Sequence, residues 1–193
     1  MSTNMLQLTR VTAAAAILGF GLTATGFAQE PKTVGGAPMY ADKNIVENAV
    51  NSKDHTTLVA AVQAADLVDT LSGAGPFTVF APTNAAFARL PAGTVDTLLQ
   101  PENKDQLTGV LTYHVVAGRH DAQELVNDVA AGGGKTTLTT VQGGTLTVTQ
   151  LDSKHLGIMD ESGNTARTSI FDVYQSNGVI HVVDTVLLPK MDM

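Results

Sequence analysis

Histidine, serine and acidic side chains are the groups in this sequence that could carry out catalysis or bind a metal. The five histidines are His55, His114, His120, His155 and His181. None has a second histidine four residues on, and no H-E-x-x-H segment occurs, so a helical zinc site is not predicted. No serine stands in the G-x-S-x-G pattern of a nucleophile elbow. A Ser–His–Asp triad or a pair of glycosidase carboxylates could still be assembled by the fold, so both stay open. We predict a protein that is not an enzyme, with no catalytic residues, no metal and no cofactor.

Two short segments look like ligand-binding loops, but each lacks a required feature. Gly134-Lys135-Thr136 ends like a phosphate-binding loop, yet Val129 stands where that motif needs a glycine. A strand pattern rich in threonine follows it, where the motif needs a helix. Asp152, Asp160 and Glu161 lie in a polar stretch without the spacing of a calcium loop. We interpret the first segment as a turn and the second as solvated loop acids.

Composition excludes several classes of protein. The chain has 193 residues, enough for one domain with a sizeable core, and 44% of them are hydrophobic. Eighteen acidic residues against eleven Lys and Arg give a net charge of −7. Phosphate binding needs clustered basic residues, so we predict no nucleic-acid partner. Cysteine is absent, which excludes disulfides, thiol nucleophiles and Cys-ligated metals.

The first 28 residues have the pattern of a secretory signal peptide. Arg10 is followed by an apolar run from Val11 to Phe27, and Gly26-Phe27-Ala28 places small residues at a cleavage site. A retained membrane anchor is the alternative interpretation. Residues 29–38, rich in Gly and Pro, are expected to form a flexible leader, and residues 39–190 one domain. The mature protein is predicted to have no membrane span and to be exported to the periplasm or the extracellular space.

Helical patterns come early in the domain and strand patterns come late. Leu58, Val62, Ala65 and Val68 have helical spacing, and Thr83 is placed to cap a short helix from Asn84. Helices are predicted over 44–50, from Asp54 or Thr56 onward, over 84–90 and 94–99, and from Pro101 to His114. Strands are predicted over 77–80, 138–148, 170–174 and 179–188, with turns at Gly143-Gly144 and Asn177-Gly178. This order predicts an α+β fold.

Three stretches together resemble the fasciclin domain family. They are GPFTVFAPTNAAFARLPAGTV from Gly75, LTYHVVAG from Leu111 and NGVIHVVDTVLLP from Asn177. The blocks stand in the family's order, and the resemblance covers about residues 39–190. The chain is similar to single-domain secreted bacterial members of the family. The resemblance implies helices packed against a wedge formed by a mostly antiparallel β-sheet.

The resemblance also implies a secreted binding module that mediates cell adhesion or matrix contact, with a protein or a cell-surface polymer as partner. Thr83, Asn84, Tyr113 and His114 are the candidate binding residues. For Asn84 and His114 a structural role competes with this one: Asn favours turns, and a core His is satisfied by a backbone or hydroxyl partner. Tyr113 is expected to pack its ring and expose its hydroxyl. The alternative function is carriage of an apolar small molecule such as a carotenoid or a lipid.

Overall fold

The computed structural model describes residues 30–190, and the signal peptide predicted for residues 1–28 lies outside them. The helices are α1 (Ile45–Ala49), α2 (Thr56–Ala64), α3 (Val68–Ser72), α4 (Asn84–Phe87), α5 (Thr94–Leu98), α6 (Lys104–Tyr113) and α7 (Ala122–Ala131). A 3-10 turn, Pro101–Asn103, precedes α6. The strands are β1 (Lys32–Val34), β2 (Ala37–Met39), β3 (Phe77–Pro82), β4 (Val115–Ala117), β5 (Lys135–Thr139), β6 (Thr145–Asp152), β7 (His155–Met159), β8 (Thr165–Gln175) and β9 (Gly178–Val183).

Seven of these strands form one curled sheet in the order β4-β3-β9-β8-β7-β6-β5. All neighbours are antiparallel except β3 and β9, which run parallel with Phe77 opposite Gly178. The two ends of the sheet meet, because the Val141 backbone N–H donates to the Val115 carbonyl at 2.7 Å. The α+β class and the mostly antiparallel sheet expected from the sequence are confirmed.

Strand β3 separates two hydrophobic clusters. Because side chains alternate across a strand, Val79 and Ala81 face one cluster and Phe80 faces the other. We call the first cluster, which α1 to α6 cover, the helical core. The second, which the curled sheet and α7 enclose, is the sheet core. Burial on both faces explains why Val79, Phe80 and Ala81 are apolar at consecutive positions rather than at alternating ones.

Short sequence signals correctly predicted the start of α4, two hairpin turns and the turn before β5. Thr83 caps α4, since its hydroxyl oxygen accepts from the Ala86 backbone N–H at 3.2 Å. The hairpins around Gly143-Gly144 and Asn177-Gly178 join β5 to β6 and β8 to β9. The Gly132–Gly134 segment leads into strand β5, as the turn interpretation predicts.

Several regions differ from the sequence expectation. The helix expected from Asp54 or Thr56 past Val68 is divided into α2 and α3, because Asp66 between them has a left-handed φ of 55°. The strand expected over 179–188 ends at Val183.

Within the stretch expected to be a flexible leader, β1 and β2 pair as a hairpin that reaches Met39. Val34 and Met39 are each 4% exposed and pack into the helical core. Tertiary burial, which no local pattern reports, orders this segment. Helix α7 also differs from the expectation, since it interrupts the strand-rich half. Its N-cap is Asp121, which accepts from the Glu124 backbone N–H at 2.9 Å.

None of the helices within residues 30–190 is long and apolar enough to cross a membrane.

Candidate functional site

Asn84 joins the start of α2 to the start of α4. Its side-chain oxygen accepts from the Thr57 backbone N–H at 3.0 Å, and its amide donates to the Lys53 carbonyl at 2.8 Å. Its own backbone N–H donates to the Asp54 carbonyl at 2.7 Å. The side chain therefore closes a connection between two helices that lie about thirty residues apart, which fits the structural role considered for it.

Tyr113 is completely buried in the sheet core. Its hydroxyl donates to the Thr145 carbonyl at 2.7 Å and accepts from the Glu161 backbone N–H at 3.0 Å. The expectation of an exposed hydroxyl was wrong, because β6 and the turn after β7 cover the end of the ring. Burial raises the pKa of Tyr113 to about 12.

His114 ends α6 and is 2% exposed. Its Nδ1–H donates to the Val110 carbonyl at 2.8 Å, and Nε2 accepts from the Leu187 backbone N–H at 2.9 Å. These two bonds define the tautomer, since Nε2 must be unprotonated to accept. Burial lowers the pKa of His114 to about 4, so the ring is neutral at neutral pH. Both ring nitrogens are satisfied, as a core histidine requires.

The helical core contains an apolar cavity of about 50 Å³, next to a histidine that sequence reasoning did not single out. Ser52 and His55 contribute to its wall, and Ser52 Oγ lies 2.8 Å from His55 Nδ1. His55 is 4% exposed, and its Nε2 has no hydrogen-bond partner among the described residues. Burial lowers the pKa of His55. The spacing of Ser52 and His55 is the sequence signal that could have drawn attention to them.

A surface groove of about 410 Å³ runs between the β1–β2 hairpin and β8. Tyr40 and Tyr174 contribute aromatic rings to its wall, and Tyr40 is 42% exposed. Each ring is also covered by a cation of the same chain: Lys43 Nζ lies 5.4 Å from the Tyr40 ring centroid, and the Arg119 guanidinium 5.1 Å from that of Tyr174. The acidic side chains of the groove are Glu30, Asp42 and Asp172, against one lysine, Lys32.

Metal-ligating side chains do not gather in residues 30–190: no group of three or more His, Asp or Glu side chains is placed to hold an ion there.

The fold agrees with comparisons to known proteins. A model of the fasciclin domain matches residues 53–189, so the chain belongs to the fasciclin domain family. Protein sll1483 of Synechocystis sp. is 44% identical over 195 residues, which cover 97% of this chain and all of that protein. Immunogenic protein MPB70 of Mycobacterium bovis is 40% identical over 147 residues, covering 73% of this chain and 66% of that protein.

Two further matches concern the cell surface and the fold. Cell surface glycolipoprotein MPB83 of Mycobacterium bovis is 35% identical over 168 residues, covering 84% of this chain and 68% of that protein. The solved FAS1 domain pair from the insect cell adhesion molecule fasciclin I superposes with a TM-score of 0.66 at 16% identity. The match covers 78% of this chain and 51% of that one, and it supports the fold alone.

Proposed function

We propose that this chain is an exported, non-enzymatic binding module that recognises a protein or a cell-surface or matrix polymer through its outer surface. The signal-peptide pattern of residues 1–28 supports export to the periplasm or the extracellular space. Membership of the fasciclin family supports a binding role, since a relative is named a cell surface glycolipoprotein and the matching solved domains come from a cell adhesion molecule.

The groove between the β1–β2 hairpin and β8 is the observation that carries this proposal. It combines two tyrosines with three carboxylates on a surface of the domain. Tyrosine offers a large, rigid contact area at low entropic cost, and carboxylates accept hydrogen bonds from hydroxyl and ammonium groups. The groove therefore suits a protein segment or a polymer that presents such groups.

The binding role predicted for Thr83, Asn84, Tyr113 and His114 stays a prediction. Each side chain already has partners within the domain, and Tyr113 and His114 are buried. Their contacts support an indirect role, in which they hold the helices and the sheet that carry the outer surface.

A binding assay with the purified exported protein tests the proposal. Host cells and preparations of matrix polymers are immobilised, and retained protein is measured for the wild type and for Tyr40→Ala and Asp42→Asn. We expect binding, and at least a fivefold loss in each groove variant. Val50→Ala and Asp96→Asn are matched controls outside the groove and are expected to bind like the wild type. Equal binding by all variants would rule out the groove as the binding surface. A wild-type protein that neither binds cells or polymers nor self-associates would contradict the proposed function.

A second candidate is a carrier of an apolar small molecule such as a carotenoid or a lipid, although the apolar cavity of about 50 Å³ in the helical core has room for only a small part of such a molecule. Its wall is apolar apart from Ser52, His55, Gln63 and His114. Native mass spectrometry and an absorbance spectrum of protein purified from its own host distinguish the two functions. A bound mass or visible colour supports the carrier, whereas a bare polypeptide mass supports the surface module.

A further inference from the structure

The cations in and beside the groove between the β1–β2 hairpin and β8 are engaged within the domain. The Lys32 amine donates to the backbone carbonyl of Phe171. The Lys43 ammonium and the Arg119 guanidinium lie over the rings of the two groove tyrosines. These positive groups therefore already have partners on the chain itself.

The carboxylates of the groove are less engaged. Asp42 and Glu30 are exposed and form neither a hydrogen bond nor an ion pair within residues 30–190. Asp172 uses Oδ1 to accept from the Ala122 backbone N–H at 2.7 Å. The charges left for a binding partner are therefore negative, since the positive groups have partners and two of the carboxylates do not.

The pKa of Tyr174 reflects the same excess of negative charge. This pKa is raised first by burial and then by the carboxylates of Asp172 and Asp121, against a lowering by Arg119. A carboxylate raises the pKa of a neighbouring phenol because it disfavours a second negative charge. Each carboxylate has a larger effect than the guanidinium, so a cation is favoured at this end of the groove.

Part of the groove wall is apolar. Met39 and Val173 contribute to it, and both are buried. A volume of about 410 Å³ is large enough for a few long side chains but not for a folded domain. Lysine and arginine side chains match both features, because their methylene stems pack on apolar surface while the charged end stays at a polar rim. A sugar polymer without amino groups would not neutralise the carboxylates.

We propose that this groove binds a segment of a partner protein that carries Lys or Arg side chains, with their charged ends paired to Asp42 and Glu30 and their stems packed on Met39 and Tyr40. The inference rests on the proposed surface-binding function and narrows its partner to a basic protein segment. Opposite charges also steer such a segment to a chain of net charge −7, so binding is expected to weaken as salt is added.

Two peptides of equal length test the charge requirement. One is a decapeptide of alternating Lys and Gly. The other is the same peptide with every lysine acetylated, which removes the charge and keeps the methylene stem. Each is titrated into the exported protein at pH 7 and low ionic strength, while NMR follows the Met39 methyl group and the Tyr40 ring. We expect the lysine peptide to bind at least tenfold more tightly than the acetylated one and to shift both sets of resonances.

A matched pair of charge reversals locates the contact. Asp42→Lys and Asp96→Lys make the same change in net charge, at exposed positions in the groove and on α5 respectively. We expect Asp42→Lys to weaken binding of the lysine peptide at least tenfold, and Asp96→Lys by no more than twofold. Equal weakening by the two variants would show attraction to the acidic chain as a whole and would overturn the groove contact.

The other failures are distinguishable. Equal affinity for the two peptides, or no binding of the lysine peptide, overturns the basic partner. Spermidine carries ammonium groups without a polypeptide, and spermidine that binds as tightly as the lysine peptide would overturn the protein partner in favour of a small polyamine. In each case, loss of cell or polymer binding in Tyr40→Ala would leave the proposed function standing. A wild-type protein that binds neither cells nor polymers would contradict that function as well.

Discussion

Two buried histidines in this domain sit in contrasting surroundings. His114, at the end of α6, uses both ring nitrogens in hydrogen bonds to the backbone. His55, at the start of α2, uses Nδ1 toward Ser52, and the Ala81 carbonyl also interacts with the ring, although Nε2 forms no hydrogen bond of normal geometry among residues 30–190. Both are almost fully buried and both have a lowered pKa. Burial and a lowered pKa are therefore common to both histidines, and the hydrogen bonds made by their ring nitrogens are what differs.

Among the variants that test this contrast, the largest loss of stability is expected for substitution of His114. His114→Phe removes the partners of the Val110 carbonyl and the Leu187 N–H, and we expect a loss of about 4 kcal/mol in the free energy of unfolding. Urea denaturation at pH 7, followed by circular dichroism, measures it. The surface variant His155→Phe serves as control, with a change of about 0.5 kcal/mol or less. If His114→Phe lost no more stability than His155→Phe, the contrast between His114 and His55 would not hold.

Acid should destabilise the protein through the same histidine. The pKa of His114 is lowered to about 4 in the folded state against an ordinary value of 6.5. Its stabilising contribution is therefore complete above pH 6.5 and is lost as the pH falls from 6.5 to 4, because the unfolded chain binds the proton first. We expect about 3 kcal/mol from His114, with a change in the same direction from His55 and His181. Urea midpoints between pH 7 and pH 4 measure this, and His114→Phe should flatten the curve. A wild-type curve that is level from pH 7 to pH 5 would contradict it.

Tyr113→Phe should have an intermediate effect. It removes the hydroxyl that bonds Thr145 and Glu161, and two buried hydrogen bonds at about 1 kcal/mol each give an expected loss of about 2 kcal/mol. Chemical denaturation measures it, and Tyr40→Phe, on an exposed ring, is the matched control. Equal stability of the two variants would show that the Tyr113 hydroxyl bonds contribute no more than solvent does.

The smallest effect on stability is expected at His55. His55→Phe loses one hydrogen bond to Ser52, but the Nε2 that it removes forms no hydrogen bond of normal geometry among residues 30–190, so little net interaction is lost. We expect a change within about 1 kcal/mol, measured as for His114. A loss of 3 kcal/mol or more would indicate that Nε2 is satisfied in the folded protein, and His55 would then belong with His114.

The sequence predicted those parts of the fold that are determined by residues lying close together in the chain. Thr83 lies three residues from the N–H it caps, and Asn177-Gly178 forms its turn from two adjacent positions. Helix α7 was not predicted, although Asp121 and Glu124 carry the local signal of an N-cap, because threonine-rich strand patterns follow it directly. The β1–β2 hairpin has no such signal, since burial of Val34 and Met39 in the helical core holds it.

The same division applies to the candidate site. The sequence by itself determined the family, the α+β class and the residues that mark its blocks, because those depend on residue type and order. Tertiary structure alone decided that the Tyr113 hydroxyl is buried, since its partners lie 32 and 48 residues further along the chain. It also decided that His55 contributes to the wall of a cavity. Hydrogen-bond satisfaction depends on which distant backbone groups arrive at a side chain, and no spacing rule along the sequence specifies that.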